Sequence, residues 1–130
     1  MPLLLLLVLL LSGCSGSAES KLIDSYLADS AAGKQSHALT GRALIAQQRA
    51  LALVSALGWS QSGSAKYSDL EVIEGGVVRF CLDVSEVGFM DAAGNQVELS
   101  RPVEKLLMSS KFVSVGQELR IENLEEVGRC

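Results

Sequence analysis

The apolar residues of this 130-residue chain keep helical spacing through its first half and alternate through its second, and that change of period limits the folds open to it. From Glu19 to Ala32, the residues Leu22, Ile23, Tyr26, Leu27 and Ala31 lie on one helical face, and Gly33 stands where the helix should stop. Ser36 to Leu57 contains no proline and, apart from Gly41, no interior glycine; Leu39, Ala43, Ala46, Ala50, Leu53, Val54 and Leu57 give it a broad apolar face ending at Gly58. It reads as one rod of roughly 30 Å or as a helix broken near Gly41. Gly58 to Ser64 reads as the loop that closes the helical half.

From Lys66 onward the period is two. Lys66 to Glu74 and Val77 to Val84 alternate around Glu74-Gly75-Gly76, a hairpin signature. A two-residue Gly75-Gly76 turn would set Phe80 opposite Glu71 and Leu82 opposite Asp69, placing acid on the apolar face. A three-residue turn instead pairs Val72 with Val78, Leu70 with Phe80 and Glu71 with Arg79, so one face collects the apolar set and the other an opposite-charge pair. We take the three-residue turn, which also puts Cys81 on the face away from Phe80 and Leu82. Val87 to Met90, a turn at Asp91 to Asn95, and Gln96 to Leu99 form a second expected hairpin, interrupted at Arg101-Pro102 because proline cannot serve a central ladder. Val103 to Val115 and Glu118 to Val127 are two more expected strands, joined at Gly116-Gln117. The class is α+β, with two or three N-terminal helices packed on a curved antiparallel β-meander of four to six strands.

Ahead of this domain runs a leader. Leu3 to Leu11 is an uncharged apolar run of nine residues, about 14 Å as a helix, which is half of the hydrocarbon thickness a span must cross. It reads as the apolar region of a signal peptide. Leu11-Ser12-Gly13-Cys14 resembles the lipobox of bacterial lipoproteins. That resemblance implies cleavage between Gly13 and Cys14, diacylglyceryl modification of the Cys14 thiol, and anchorage to the cell membrane on its extracytoplasmic side. The competing readings are a secretory peptide cut after Ala18 and an uncleaved anchor. No Lys or Arg precedes the run, which leaves a start upstream of Met1 open. The chain then divides into a signal peptide over 1–13, a lipidated N-terminus and tether over 14–20, and one α+β domain over 21–130.

Three cysteines less the lipidated one leave Cys81 and Cys130, an even remainder outside the cytosol. It reads as one disulfide stapling the back of the sheet, against the alternative of a buried reduced Cys81 and an idle terminal thiol. Residues 67–130 carry six basic and twelve acidic side chains, residues 15–66 five and three, so no basic footprint for nucleic acid is present. Known catalytic patterns are missing too. His37 is the single histidine, with no carboxylate pair or cysteine beside it, and it reads as a surface residue at a helix terminus rather than a base or zinc ligand. Gly58-Trp59-Ser60-Gln61-Ser62 lacks the second glycine of a nucleophile elbow, so Ser60 reads as a loop serine. Asp83 with Glu86, and Glu125 with Glu126, read as solvated charge. Trp59, the sole tryptophan, reads as a plug at the open end of the core or as an exposed binding aromatic.

Tyr26-Leu27-Ala28-Asp29-Ser30-Ala31-Ala32-Gly33-Lys34 resembles the first-helix signature of nuclear-transport-factor-2-like and cystatin-like domains. Cys81-Leu82-Asp83-Val84-Ser85, Asp91-Ala92-Ala93-Gly94-Asn95, Arg101-Pro102 and the terminal Cys130 are similar to a group of actinobacterial lipoproteins. The resemblance implies helices packed into the concavity of a curved sheet, sometimes lining a ligand pocket, and it carries no functional residue across. The Ala/Leu-rich second helix would then fill that pocket. The expected function is a non-catalytic envelope lipoprotein without cofactor or metal, a small binding or interaction module whose membrane contact is the lipid on Cys14. The alternative is a small-ligand binder or enzyme using a pocket between sheet and helices, favoured by a cavity of about 300 Å³ or more with convergent polar groups.

Overall fold

The computed structural model describes residues 17–100 and 103–130. The lipobox Leu11-Ser12-Gly13-Cys14 and its cleavage site, and Arg101-Pro102, lie outside the described residues. The first helix, α1, runs Ala18–Ala31, and its cap is Ser17, whose hydroxyl accepts the Ser20 N–H at 3.1 Å. Residues 18–20 of the tether expected over 14–20 are therefore helical, with Ser17 as their cap. Gly33, at φ +72°, stops α1 where the sequence places the stop, and Lys34 N–H closes on Asp29 C=O at 2.8 Å.

The second helix, α2, is Gly41–Ala56, so of the two readings of Ser36 to Leu57 the structure takes the break near Gly41. The reason lies far along the chain. Residues 38–40 run extended beside the last strand: Thr40 N–H donates to Ile121 C=O and Ile121 N–H to Ala38 C=O, both at 2.8 Å. These bonds cover a sheet edge and drive Leu39 into the core, where it is 1% exposed. Gly41 makes the corner at φ +54°, and a Cβ there would already touch Glu122 Cγ at 3.0 Å.

Six strands follow: β1 Ser60–Ser62, β2 Lys66–Ile73, β3 Val77–Asp83, β4 Gly88–Met90, β5 Lys105–Val115 and β6 Glu118–Arg129. Strands β2-β3-β5-β6 form an antiparallel sheet in sequence order, and β1 pairs separately with β4. The chain is thus α+β, with its helices ahead of its strands. Ile23 of α1, Leu39 and Ala43 pack on Val78, Phe80, Phe112 and Ile121 of the sheet to make the core. Each large apolar side chain so buried contributes about 1.5–3 kcal/mol.

The three-residue turn is present as a 3-10 turn over Glu74–Gly76, with Val72 opposite Val78 and Glu71 opposite Arg79. Leu70 is not squarely opposite Phe80, as an unbroken ladder would have it, because the register slips by one between Ser68 and Glu71. Asp69, at φ +56°, forms the resulting bulge. The slip brings Tyr67 opposite Leu82, on the core face, where its ring meets Phe80 edge-on at 6.1 Å and its hydroxyl donates to Ser20 C=O of α1. Without the bulge Tyr67 would face outward.

The second expected hairpin forms in shortened form: around an antiparallel bridge between Met90 and Gln96, Asp91 N–H donates to Asn95 C=O and Val97 N–H to Phe89 C=O, both at 2.8 Å, and Asp91 Oδ1 accepts from Ala93 and Asn95 N–H in the turn, while residues 97–100 form no strand. Strand β4 pairs on its other side with β1, inside the stretch expected to be a loop: Ser60 lies opposite Met90, Gln61 opposite Phe89 and Ser62 opposite Gly88. The two strands approach closely at Gly88, where a Cβ would lie 2.8 Å from Ser62 Oγ and would make that hydroxyl turn aside. Among the described residues no helix is long and apolar enough to cross a membrane.

Candidate functional site

Between the two helices, the β1–β4 pair and one end of the sheet lies a cavity of about 650 Å³. Its existence follows from small side chains. On α2 the positions facing it include Ala43, Ala46 and Ala50, and α1 ends against it in Ala31-Ala32-Gly33. Leucine at the alanine positions would fill the space; Leu51 and Val54 of α2 also line it, while Leu53 is 62% exposed and is not among the lining residues. The expectation that α2 fills the pocket is therefore overturned: Ala43, Ala46, Ala50 and Val54 of the expected apolar face do line the space, and three of these four side chains are too small to fill it.

The walls are apolar and aromatic. Trp59 and Phe89 pack at 5.8 Å between ring centroids and form one wall, while Met108 and Leu124 of the sheet line the floor. Trp59 is thus a half-buried wall of the cavity, between the plug and the exposed aromatic that the sequence allows.

One corner is polar. Gln47 is 5% exposed; its Oε1 accepts Ser36 N–H at 2.8 Å, and its Nε2 donates to Ser30 Oγ at 3.0 Å and to Lys34 C=O at 3.2 Å. These bonds tie the 34–36 connection to α2 and leave both amide hydrogens used. Tyr26 lies one helical turn before Ser30 on α1, and burial pushes its phenol above its ordinary value, opposed by the nearby Ser30 hydroxyl. Tyr26, Ser30 and Gln47 all line the cavity, and none of its lining residues carries a charge. On β1, Ser60 and Gln61 add further neutral polar groups, though the Gln61 amide donates to Gly63 C=O.

The other candidate residues lie elsewhere. His37 is exposed in the connection between the helices. Asp83 Oδ1 accepts Ser85 N–H at 2.9 Å, and the Ser85 hydroxyl and amide together hold its carboxyl below the usual range. Glu86 is paired with Lys66 at 2.9 Å, a contact that raises the lysine through the hydrogen bond and then the charge of Glu86. Both side chains are exposed, so the pair adds little stability. Glu125 and Glu126 lie opposite Ser109 and Met108 and so project to opposite faces of β6. No pocket receives them jointly. Cys81 and Cys130 are joined in a disulfide with Cα atoms 5.9 Å apart, linking β3 to the residue after β6 while β5 lies between these strands. Among the described residues no three His, Cys, Asp or Glu side chains gather in a way that could hold a metal ion.

Sequence reasoning passed over Tyr26, Ser30 and Gln47. One signal was available: Gln47 is the lone polar side chain on a helical face otherwise made of Ala43, Ala50 and Val54, and a glutamine in such a stripe has an amide to satisfy. Compared with known proteins, the chain matches no protein-family model, no curated protein and no solved structure.

Proposed function

We propose that this protein is a non-catalytic lipoprotein of the cell envelope, anchored through Cys14, whose domain binds a small apolar ligand in the cavity between helices and sheet. The observation that carries the binding reading is the cavity itself, about 650 Å³, mostly apolar and walled by Trp59 and Phe89. That size falls within the range of small-molecule sites, which typically combine an apolar lining with a few placed polar groups. The lining contains no imidazole, thiol, carboxylate or amine, which supports binding over acid–base or nucleophilic chemistry there. Helices laid on a meander support the resemblance to nuclear-transport-factor-2-like and cystatin-like domains, and the lipobox supports the membrane address. Two acyl chains on Cys14 would hold the domain at a bilayer where one would be marginal.

The test uses the sole tryptophan. Titrating the lipidated protein in vesicles with the neutral dye N-phenyl-1-naphthylamine should give saturable energy transfer from Trp59. The substitutions Ala46→Phe and Ala50→Phe, which fill the cavity from exposed positions, should abolish it. Transfer that never saturates, or that survives both substitutions, rejects the binding reading. The address is tested separately: an alkyne fatty acid should label the wild-type chain, and a Cys14→Ala chain that still takes label rejects it.

A further inference from the structure

The outer face of α2 is apolar and exposed. Apart from Gly41, Arg42, Gln47, Gln48, Arg49 and Ser55, every residue of the helix is alanine, leucine, isoleucine or valine, so it is apolar nearly all round. A helix of that composition is ordinarily buried on every side. Here one side packs on the sheet, while Ile45 and Leu53 are 49% and 62% exposed. Arg42, Ile45, Arg49 and Leu53 follow one another at spacings of three, four and four, so they form a single stripe along the exposed side. Neither guanidinium has an ion-pair partner among the described residues.

Charge decides what can cover this stripe. Between Asp29 and Asp69 the chain has no acidic residue, while Lys34, Arg42, Arg49 and Lys66 are basic. A second copy fits poorly: a two-fold pairing about the middle of α2 would set Arg49 against its own copy, with no carboxylate on the helix to separate the charges. An anionic bilayer matches the stripe, since guanidinium groups pair with phosphate while aliphatic side chains sink past the headgroups. The start of the domain lies on the same side. Under the anchorage through Cys14 proposed above, on which this inference rests, three peptide links reach Ser17, at most about 11 Å. Ala18 lines the same shallow depression as Ala38, three residues before α2, so the anchor lies near the start of that helix. The strand half, with its acidic excess, is repelled by an anionic surface and turns away from it.

We infer that the stripe Arg42, Ile45, Arg49 and Leu53 is a second membrane contact, lying in the headgroup region of an anionic phospholipid bilayer and fixing how the lipid-anchored domain sits on it. Ala46 and Ala50, exposed beside the stripe, also line the cavity, so the contact borders its mouth.

The experiment follows a fluorescent label on the lipidated protein in vesicles. Cys81 and Cys130 are joined and Cys14 carries lipid, so a thiol introduced by Leu53→Cys or by Glu71→Cys alone takes a maleimide dye. Glu71 is the control on the far face of the sheet, opposite Arg79, which alternates with the core residues Val78 and Phe80. In vesicles of equal parts phosphatidylglycerol and phosphatidylcholine, the label at Leu53→Cys should lose most of its quenching by acrylamide in the water and be quenched by doxyl-labelled lipid. At Glu71→Cys acrylamide alone should quench. Pure phosphatidylcholine, or Arg42→Glu with Arg49→Glu in the anionic vesicles, should restore acrylamide quenching at position 53, because the surface no longer attracts the helix. Should the double variant fail to fold, the two lipid compositions decide alone. The inference is overturned by lipid quenching at position 53 that ignores lipid charge or the two glutamates, or by a label there shielded from both quenchers, which marks a protein partner. Protein that does not float with the vesicles rejects the anchorage, and the inference with it. Floating protein whose position 53 meets acrylamide as freely as position 71 overturns the inference and leaves the anchorage standing.

Discussion

Gln47 holds together more of the helical layer than any one apolar side chain there. Its amide joins Ser30 of α1, the backbone of residues 34 and 36, and α2, and it does so from a buried position. Leucine at 47 would match its bulk but leave the Ser36 N–H, in a residue 2% exposed, without an acceptor. An orphaned buried donor costs about 1–3 kcal/mol, so Gln47→Leu should lower stability by about 2 kcal/mol despite its better hydrophobicity. Urea unfolding checks this, and a midpoint unchanged or raised would show that the amide network contributes nothing. At this scale the sequence was only partly legible. A lone glutamine in an apolar stripe can be noticed, but its partners lie eleven and seventeen residues away, and only the crossing of the helices selects them. Tyr26 was legible as part of the apolar face of the first helix, and its place in the cavity wall was not.

The β2–β3 hairpin separates what local pattern can decide from what it cannot. Its three-residue turn follows from the alternation, because only that register gathers the apolar residues on one face. Its two glycines look alike in sequence, with φ +77° at Gly75 and +78° at Gly76. Their surroundings differ. Nothing lies within 4 Å of a Cβ built at Gly75, whereas one at Gly76 would lie 2.6 Å from the carbonyl oxygen of Phe112 on β5. Gly75→Ala should therefore cost only the left-handed backbone strain, about 1–2 kcal/mol. Gly76→Ala should cost about 1 kcal/mol or more beyond that, since backbone must move. Equal urea midpoints for the two variants would refute the contact. The bulge at Asp69 was illegible for the same reason: alternation reads straight through it, and the slip is selected by the room for Tyr67 between Phe80 and α1. Likewise the pairing of β1 with β4, which sets Ser62 opposite Gly88, is a fact of two distant segments.

For the whole molecule the disulfide is the principal covalent constraint. It joins residues 49 apart and holds the last residue of the chain to the sheet, where Cys130 N–H also reaches Lys105 C=O. Closing a loop of that length should stabilise the fold by about 4 kcal/mol on the chain-entropy account, less any strain. Reduction of the wild-type protein and the substitution Cys130→Ser should each lower stability by about 2–4 kcal/mol, with coincident urea midpoints. A variant as stable as the oxidised protein would show that the staple is thermodynamically idle. The sequence by itself determined the α+β class, the order of helices before strands, the turn at 74–76 and the pairing of the two cysteines left to the domain. Each of these depends on periodicity, chain order or the count of one reactive side chain, all of which are local or additive. The choice between one rod and a break near Gly41, the bulge at Asp69, the β1–β4 pair and the cavity were decided only in three dimensions. Each arises where residues remote in the chain compete for the same space or the same hydrogen bond, and the cavity is what remains when the alanine side of α2 turns toward a sheet that its leucines would have filled.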